Sequence, residues 1–302
     1  MVHPDCPKTL SAGYGILKKL NSRKKNKMNT QTLSIDKAKQ NSETIVPQWN
    51  WLYTIGGAAA LMAMLVNLLD VILGFGGTEV VTYGSRPAIA WFTVYQKSWF
   101  TGLYSLGILN ILYMVAMLPV YVALFGVHRR RQAVHMALVV IVFLLAMSIY
   151  ISTNAAIPLL VLSNKYALAN PDVQKTIFIA AGEAVLARGE DFTPGAFIGL
   201  FFSGIAAIVV SFVMLRGGIF GKAHAWIGIV GFTFLSLFTI FATFVPALYT
   251  IAFYVFGSIG GVLALTWFAL VARRLFQLGR NEQGVSEWSK EISTRQDRNE
   301  NV

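Results

Sequence analysis

The fold is decided by residues 113–150, which read YMVAMLPVYVALFGVHRRRQAVHMALVVIVFLLAMSIY. Two long apolar blocks flank a short basic segment at Arg129, Arg130 and Arg131. A bilayer core ~30 Å thick is crossed by about 20 mostly apolar helical residues, so each block is long enough to span it. The segment therefore predicts two transmembrane helices joined by a basic loop.

Four more blocks in the chain meet the same criterion. The predicted fold class is all-α, a polytopic six-transmembrane-helix bundle with spans at 51–75, 99–127, 133–162, 195–215, 225–244 and 248–276. Hydrophobic residues make up 55% of the 302-residue chain, and only 13% are charged, about half the usual share. This composition excludes an ordinary soluble enzyme and a disordered chain. The single cysteine, Cys6, excludes a disulfide scaffold and cysteine-ligated metal centres.

The distribution of cations predicts the orientation of the bundle. With the N-terminus inside, twenty lysines and arginines lie on the cytoplasmic side and five outside, so we expect both termini in the cytoplasm and the protein in the cell membrane. The expected domains are a basic, disordered tail at 1–48, the membrane domain at 49–277 and a charged tail at 278–302. Topology also explains the net charge of +11, so nucleic acid is not an expected partner.

The expected partners are membrane lipids, anionic on the cytoplasmic side. Arg129, Arg130 and Arg131 are predicted to contact lipid headgroups there. His128, His135 and His224 lie at the cytoplasmic ends of spans and could form a metal site. They lack a neighbouring carboxylate and a paired spacing on one helix, so interfacial histidines are the expected interpretation, with no metal and no cofactor.

The longest outer loop, at 163–194, contains a predicted short amphipathic helix. Asn170, Pro171 and Asp172 are typical of a helix start. Val173, Ile177, Ala181 and Ala184 then recur at helical spacing, and Gly189 with Pro194 ends the segment. We expect this helix to lie on the outer membrane face or to cap the bundle.

Glycines on the last three spans predict close helix contacts. They are Gly195, Gly199, Gly228, Gly231, Gly257 and Gly261. Packing within one chain is the expected use of these glycines, and a homo-oligomer interface is the alternative. A turn around Pro246 makes the fifth and sixth spans antiparallel neighbours.

Polar side chains gather in the outer half of the predicted bundle. Asp70 is the ionisable residue that lies clearly within a span, and such residues are functional candidates by default. The expected lining of an outward-facing polar pocket comprises Asp70, Asn67, Asn110, Asn154, Tyr104 and Tyr150. Pro158 would free the Asn154 carbonyl four residues earlier. The alternative is that these groups bond to one another and only hold the bundle together.

The second half of the chain carries a family resemblance. Residues 199–231 read GLFFSGIAAIVVSFVMLRGGIFGKAHAWIGIVG, and WFALVARRL follows at 267–275. This pattern of hydropathy and glycine placement resembles a family of prokaryotic six-helix integral membrane proteins classed only as a domain of unknown function. The resemblance spans residues 48–277 and implies the six-span topology. It implies no activity and no site residues.

The sequence contains no recognisable catalytic constellation, because phosphate-binding loops, nucleophile elbows and zinc-protease motifs are all missing from it. We therefore expect a non-enzymatic membrane protein, structural or sensing, that binds a small ligand in the outer polar pocket. The alternative is a small secondary transporter or channel that uses Asp70 as a proton or cation site.

Overall fold

The computed structural model describes residues 50–76, 86–170 and 172–300, and 92% of these residues are helical, with no strand among them. The predicted tail at 1–48 lies outside this part. The helices are α1 (Asn50–Gly76), α2 (Ala88–Lys97), α3 (Trp99–Ser105), α4 (Ile108–Thr153), α5 (Ala156–Leu168), α6 (Asp172–Gly189), α7 (Pro194–Gly217), α8 (Lys222–Phe244), α9 (Tyr249–Ala252) and α10 (Ser258–Glu300). A 3₁₀ turn (Pro246–Leu248) precedes α9, and a π-helical turn (Phe253–Gly257) joins α9 to α10.

Helix α4 folds back on itself at Gln132. Its 46 residues would extend about 69 Å if straight, more than twice the thickness of a bilayer core. Gln132 leaves the helical conformation with φ −140° and ψ 36°. The rings of Tyr121 and Phe143, eleven residues to either side, stack with their centroids 4.3 Å apart. Helix α4 therefore consists of two antiparallel arms that meet directly after the three arginines.

Five stretches of the described chain are long and apolar enough to cross a membrane, and the doubled-back α4 lies in one of them. The composition and length of these helices identify a multi-pass helical membrane protein. Large apolar side chains also face outward along them. Leu65 is 58% exposed and Val134 is 71% exposed, as expected of surfaces that contact lipid.

The long helices form a closed ring. Helix α4 packs on α1 and α7, α7 packs on α8, and α10 closes the ring by packing on both α8 and α1. The main core lies inside this ring, and its largest fully buried side chains include Trp267, Tyr121, Tyr150, Phe143 and Phe268. Contacts of Gly231 with Leu263 and of Gly260 with Leu235 confirm that α8 and α10 are antiparallel neighbours.

Glycines permit several of the close contacts in the ring. A Cβ atom on Gly199 would crowd Tyr150, and one on Gly228 would overlap the side chains of Ser211 and Trp267. The expected contact within the chain is wrong for Gly261, because no described atom outside its own helix lies within 4 Å of where its Cβ would be.

Short helices cover one end of the ring, here called the cap end. Helices α2, α3, α5 and α6 form it around Trp91, Phe92, Tyr95, Leu159 and Leu186. Tyr95 Oη donates to the carbonyl of Ala156 at 2.7 Å, and Ser163 Oγ donates to the carbonyl of Phe92 at 3.1 Å. Glu183 accepts the Ala88 N–H at 2.6 Å, which ties the start of α2 to α6. The opposite end, which carries the three arginines, is called the basic end.

The cap end corrects the predicted bounds of two spans. The block at 99–127 is broken at Leu106 and Gly107, where the chain passes from α3 to α4 with Gly107 at φ +81°. The block at 133–162 is broken at Asn154 and Ala155, and α5 starts anew at Ala156. Pro158 lies in the first turn of α5, where a missing N–H costs no helical hydrogen bond.

A helix at the predicted position is confirmed, since α6 occupies Asp172–Gly189, but the predicted amphipathic character is wrong, because α6 does not separate its apolar and polar residues onto two faces. Its inward side chains differ from the predicted face. Gly182, Leu186 and Gly189 are buried, whereas Val173 and Ile177 are mostly exposed. At the other end of the chain, α10 continues through Glu300, so the segment at 278–302 begins inside a helix.

Candidate functional site

Three breaks in the helices meet at one point of the cap end. They are the α3–α4 break at Leu106 and Gly107, the α4–α5 break at Asn154 and Ala155, and the turn between α6 and α7 at 190–193. Asn154, which is 6% exposed, joins the first two, because its amide donates to the Leu106 carbonyl at 3.1 Å. Its Oδ1 accepts the N–H of Ala156 at 3.0 Å and so caps the start of α5.

Asp191 is the centre of this junction. It lies in the α6–α7 turn with only 7% of its surface exposed. Tyr150 Oη donates to Asp191 Oδ1 at 2.6 Å, and Asn110 Nδ2 donates to Asp191 Oδ2 at 2.9 Å. Both donors come from α4, one from each arm. Asp191 therefore ties the α6–α7 turn to the two antiparallel arms of α4.

Gly107 lets the backbone approach this carboxylate closely. A Cβ atom at this position would lie 2.7 Å from Tyr150 Oη and 2.8 Å from Asp191 Oδ2. Such distances are too short for a real side chain, and the positive φ independently favours glycine. Gly107 therefore allows the Tyr150–Asp191 hydrogen bond to form beneath the start of α4.

The turn that carries Asp191 has a strained backbone. Phe192 adopts φ +62°, the only such value outside glycine among the described residues. Its ring contacts those of Phe238 and Tyr249 with centroid separations of 5.1 Å and 6.2 Å. A Cβ atom on Gly189 would overlap the Thr153 carbonyl, and the Gly189 carbonyl accepts a 3.1 Å hydrogen bond from the Ala155 N–H. These contacts hold the conformation that directs Asp191 inward.

Asp70 brings a second carboxyl group to the same region. It lies half-buried near the end of α1 and interacts electrostatically with Asp191. Within the described part of the chain, no residue donates a hydrogen bond to Asp70, and no lysine or arginine forms an ion pair with Asp70 or Asp191. The site thus combines one carboxylate that two hydrogen bonds hold in place with a second whose oxygen atoms accept no hydrogen bond from a described residue.

The neighbouring Glu190 adds a third carboxyl group to this region. It is 7% exposed and interacts electrostatically with Asp191, Glu183 and Arg86. The Arg86 guanidinium also lies over the Trp91 ring, 5.6 Å from its centroid. Glu190 therefore has a positively charged group, Arg86, near it. No basic group among the described residues has this effect on Asp191.

The structure brings together half of the predicted pocket. Asn110, Tyr150 and Asn154 lie together at the junction, as expected. Asp70 interacts electrostatically with Asp191, the residue to which Asn110 and Tyr150 donate hydrogen bonds. Asn67 instead donates to Ala63 of its own helix at 2.9 Å. The Tyr104 ring contacts Phe100, with centroids 5.7 Å apart, on α3.

Asp191 is not among the predicted site residues, because it lies outside every apolar block. Asp191 lies three residues before Pro194, where α7 begins. A usable signal was present in the segment GEDFTPG at 189–195. In this segment Thr193 and Pro194 mark the start of a helix that continues into an apolar block. Glu190 and Asp191 directly precede that start, so their carboxyl groups are expected at the end of a transmembrane helix.

The three histidines of the basic end have different surroundings. His128 is 1% exposed, with Nδ1 3.0 Å from the Leu124 carbonyl and its ring stacked on Phe220. His135 is exposed, and His224 lies near Arg273 and Arg274. No group of three or more metal-ligating side chains occurs in the described ranges. Arg130 and Arg131 are exposed, whereas Arg129 is half-buried.

The chemistry available at the junction is that of an oxygen-rich binding site. A carboxylate has about four acceptor positions, and Tyr150 and Asn110 use two of those on Asp191. The remaining positions and the Asp70 carboxyl group can accept a proton or ligate a small cation. In comparisons with known proteins, no family model, no curated protein and no solved structure matches this chain.

Proposed function

We propose that the protein is a non-enzymatic six-span membrane protein that binds a small cation, a proton or an alkali metal ion, between Asp191 and Asp70. The observation that carries this proposal is the buried Asp191 carboxylate, which has two neutral donors and a second acid nearby but no basic partner among the described residues. A buried charge without a partner is costly, so a bound cation would stabilise the site.

The six-span topology is part of the proposal. It is supported by the two arms of α4, which divide one apolar stretch into two lengths that each suit a bilayer. The cap end would face outward and the basic end would face the cytoplasm, because Arg129, Arg130 and Arg131 lie at the fold in α4. Anionic lipid headgroups would contact the arginines there. The family resemblance stays a prediction.

Each residue of the junction has a role in this proposal. Tyr150 and Asn110 fix the orientation of the Asp191 carboxylate, and Asn154 holds together the two helix breaks that surround it. Asp70 provides the exchangeable acceptor, since no described hydrogen bond occupies it. One bound monovalent cation would lower the charge of the carboxylate pair from −2 to −1 and so reduce the repulsion between them.

The binding test uses the full-length protein in lipid nanodiscs. Thermal stability is measured in sodium chloride, lithium chloride and choline chloride at equal ionic strength, and proton uptake is measured with a pH-indicator dye after a small acid pulse. We expect Na⁺ or Li⁺ to raise the Tm relative to choline, or the acid pulse to load the site. Asp191→Asn and Asp70→Asn should each abolish the response.

Asp172→Asn is the matched control for these variants. Asp172 lies at the start of α6, its side chain is 97% exposed, and its partner is Lys175 at 3.5 Å. The control should respond like the wild type. Equal responses of wild type, Asp70→Asn and Asp191→Asn to both the salts and the acid pulse would refute cation binding at this site.

Transport of the bound cation is a second candidate function. It is favoured by the position of Asp70 inside the first apolar helix, where an ionisable group is expensive unless it is used. Uptake into proteoliposomes under an imposed ion gradient separates the two functions. A gradient-dependent flux that Asp70→Asn abolishes would indicate transport, whereas binding without flux would indicate a sensing or structural role.

A further inference from the structure

Acidic and basic side chains are separated between the two ends of the ring. Within residues 51–73, 86–170 and 172–280, whose side chains the structure describes, every acid lies at the cap end: Asp70, Asp172, Glu183, Glu190 and Asp191. The basic end carries the three arginines at 129–131 and five further cations, Arg216, Lys222, Arg273, Arg274 and Arg280. Its counter-ions therefore come from beyond these described side chains.

Two helices bring cations of the basic end to the same level. The antiparallel register of α8 and α10 is fixed by three close approaches: Gly228 with Trp267, Gly231 with Ala264, and Leu235 with Gly260. Each step along α8 matches an equal step back along α10, because both helices rise by the same 1.5 Å per residue. Continued to the start of α8, this register places Lys222 level with Arg273.

Arg274 is half-buried beside this pair and has only neutral partners. Its Nε donates to the carbonyl of Ile219 in the α7–α8 turn at 3.1 Å, and its Nη1 donates to Gln277 Oε1 at 3.3 Å. His224 interacts electrostatically with both Arg273 and Arg274, which brings the start of α8 close to these cations. No acid lies three or four residues from either arginine along α10. Neutral acceptors hold the guanidinium in place but leave its charge uncompensated.

The outward surface beside these cations changes from charged to apolar. On α8, Lys222, Trp226 and Val230 follow one another at four-residue spacing and so share a face, and all three are exposed. On α10, Arg273 and Ala269 are likewise exposed and one turn apart. Trp226 is 53% exposed, as is typical of an aromatic side chain at the headgroup level of a membrane. The order of cation, indole and apolar side chain matches that of phosphate, ester and acyl chain in a phospholipid.

We propose that Lys222, Arg273 and Arg274 bind the phosphate of an anionic phospholipid whose acyl chains lie along α8 and α10 beside Trp226. Arginine and lysine supply the charge-assisted hydrogen bonds that phosphate oxygens accept. The apolar continuation of the surface favours a lipid over a free phosphate, which would use the cations alone. The site requires no cation between Asp70 and Asp191, so it stands or fails separately from the proposed function.

The binding test uses the full-length protein and native mass spectrometry, which counts the lipid molecules that remain bound. Phosphatidic acid is compared with phosphatidylcholine of the same acyl chains, whose choline group balances the phosphate charge. We expect the first phosphatidic acid molecule to bind roughly tenfold more tightly than phosphatidylcholine. Inorganic phosphate in large excess should not displace it. Displacement by phosphate, or equal affinity for the two lipids, would overturn the proposal.

The variant that tests the site combines Lys222→Gln with Arg273→Gln. Each lost cation should weaken phosphatidic acid binding about fivefold, so the pair should weaken it by about 25-fold. The matched control combines Arg130→Gln with Arg131→Gln, which removes the same charge from exposed positions of the same end. The control should retain the tightly bound lipid. Equal losses in the two double variants would indicate general attraction to an anionic surface and refute a site on α8 and α10.

Two further measurements separate a lipid site from a simple cluster of charge. Trp226→Ala keeps every cation and should still weaken phosphatidic acid binding, whereas Lys222→Arg should bind as the wild type does. A map of the full-length protein in nanodiscs that contain phosphatidic acid should show phosphate density beside Lys222 Nζ and the Arg273 guanidinium. A map with an ordered α8–α10 surface and no such density would overturn the proposal, and so would unchanged affinity in Trp226→Ala.

Discussion

Tyr150 donates a 2.6 Å hydrogen bond to Asp191 across 41 residues of chain, and both side chains are buried. Asp191 lies in a turn that begins α7, whereas Tyr150 lies one turn from the end of α4. The bond therefore links two helices of the ring at the level where the cap is attached. Hydrogen bonds to charged groups contribute about 1.5–3 kcal/mol, more than bonds between neutral groups.

Tyr150→Phe should lower the free energy of unfolding by about 1.5–3 kcal/mol, because it leaves the buried Asp191 carboxylate with one donor. Unfolding in mixed detergent micelles measures this loss. Tyr104→Phe is the control, since the Tyr104 ring is half-buried on α3 and forms no hydrogen bond among the described residues. In a double-mutant cycle with Asp191→Asn, the two losses should not add. Additive losses would show that the pair is not coupled.

Only Asp191→Asn, and not Asp70→Asn, should lower stability at neutral pH in choline buffer. Asp191→Asn weakens two buried hydrogen bonds and lowers the Tm. Asp70→Asn removes an electrostatic repulsion with Asp191 and breaks no described hydrogen bond, so it should leave the Tm unchanged or raise it. A large loss of stability in Asp70→Asn would instead place Asp70 in the structural framework.

The apolar blocks of the sequence predicted the helices of the ring because their lengths are set by the bilayer. Arg129, Arg130 and Arg131 interrupt the apolar sequence, and this basic segment correctly predicted where α4 folds back, at Gln132. The breaks at Gly107 and Asn154 were hidden, since both lie in apolar sequence that is compatible with a continuous helix. Only tertiary contacts, such as the bond from Asn154 to Leu106, favour a break at these positions.

The sequence predicted only some residues of the candidate site. Asn110, Tyr150 and Asn154 could be found because polar residues inside apolar helices are costly unless they face one another. Asp191 lies outside every predicted span, so no rule of membrane burial applied to it. Its burial results from the cap helices and from the left-handed backbone of Phe192, which local sequence patterns do not predict.

Gly107→Ala should destabilise the protein more than Gly218→Ala does. Both glycines have positive φ, at +81° and +68°, so both variants incur a backbone cost of about 1–2 kcal/mol. A Cβ atom at Gly218 meets no described atom within 4 Å, whereas one at Gly107 displaces Tyr150 and Asp191. The total for Gly107→Ala is therefore expected to be roughly 3 kcal/mol or more. Equal unfolding free energies for the two variants would show that the junction can relax around an added methyl group.

Gly204→Ala tests the close contact between α7 and α8. An added Cβ atom overlaps Ser236 Oγ, and the next nearest described atom is the Ser236 Cβ at 3.7 Å. We expect Gly204→Ala to destabilise the protein by about 1–3 kcal/mol, as overpacking of a core does. Adding Ser236→Ala should restore most of this loss, because it removes the hydroxyl oxygen that the new Cβ atom at position 204 overlaps. The atom that remains nearest to it is then the Cβ of residue 236 at 3.7 Å, an ordinary contact distance.

Gly261→Ala is the matched control for this pair, because its Cβ atom would meet no described atom within 4 Å outside its own helix. Alanine has the higher helix propensity, so this variant should be neutral or slightly stabilising. The decisive quantity is the coupling free energy between the substitutions at 204 and 236. If the double variant is no more stable than Gly204→Ala alone, α7 and α8 do not approach each other through this glycine and serine.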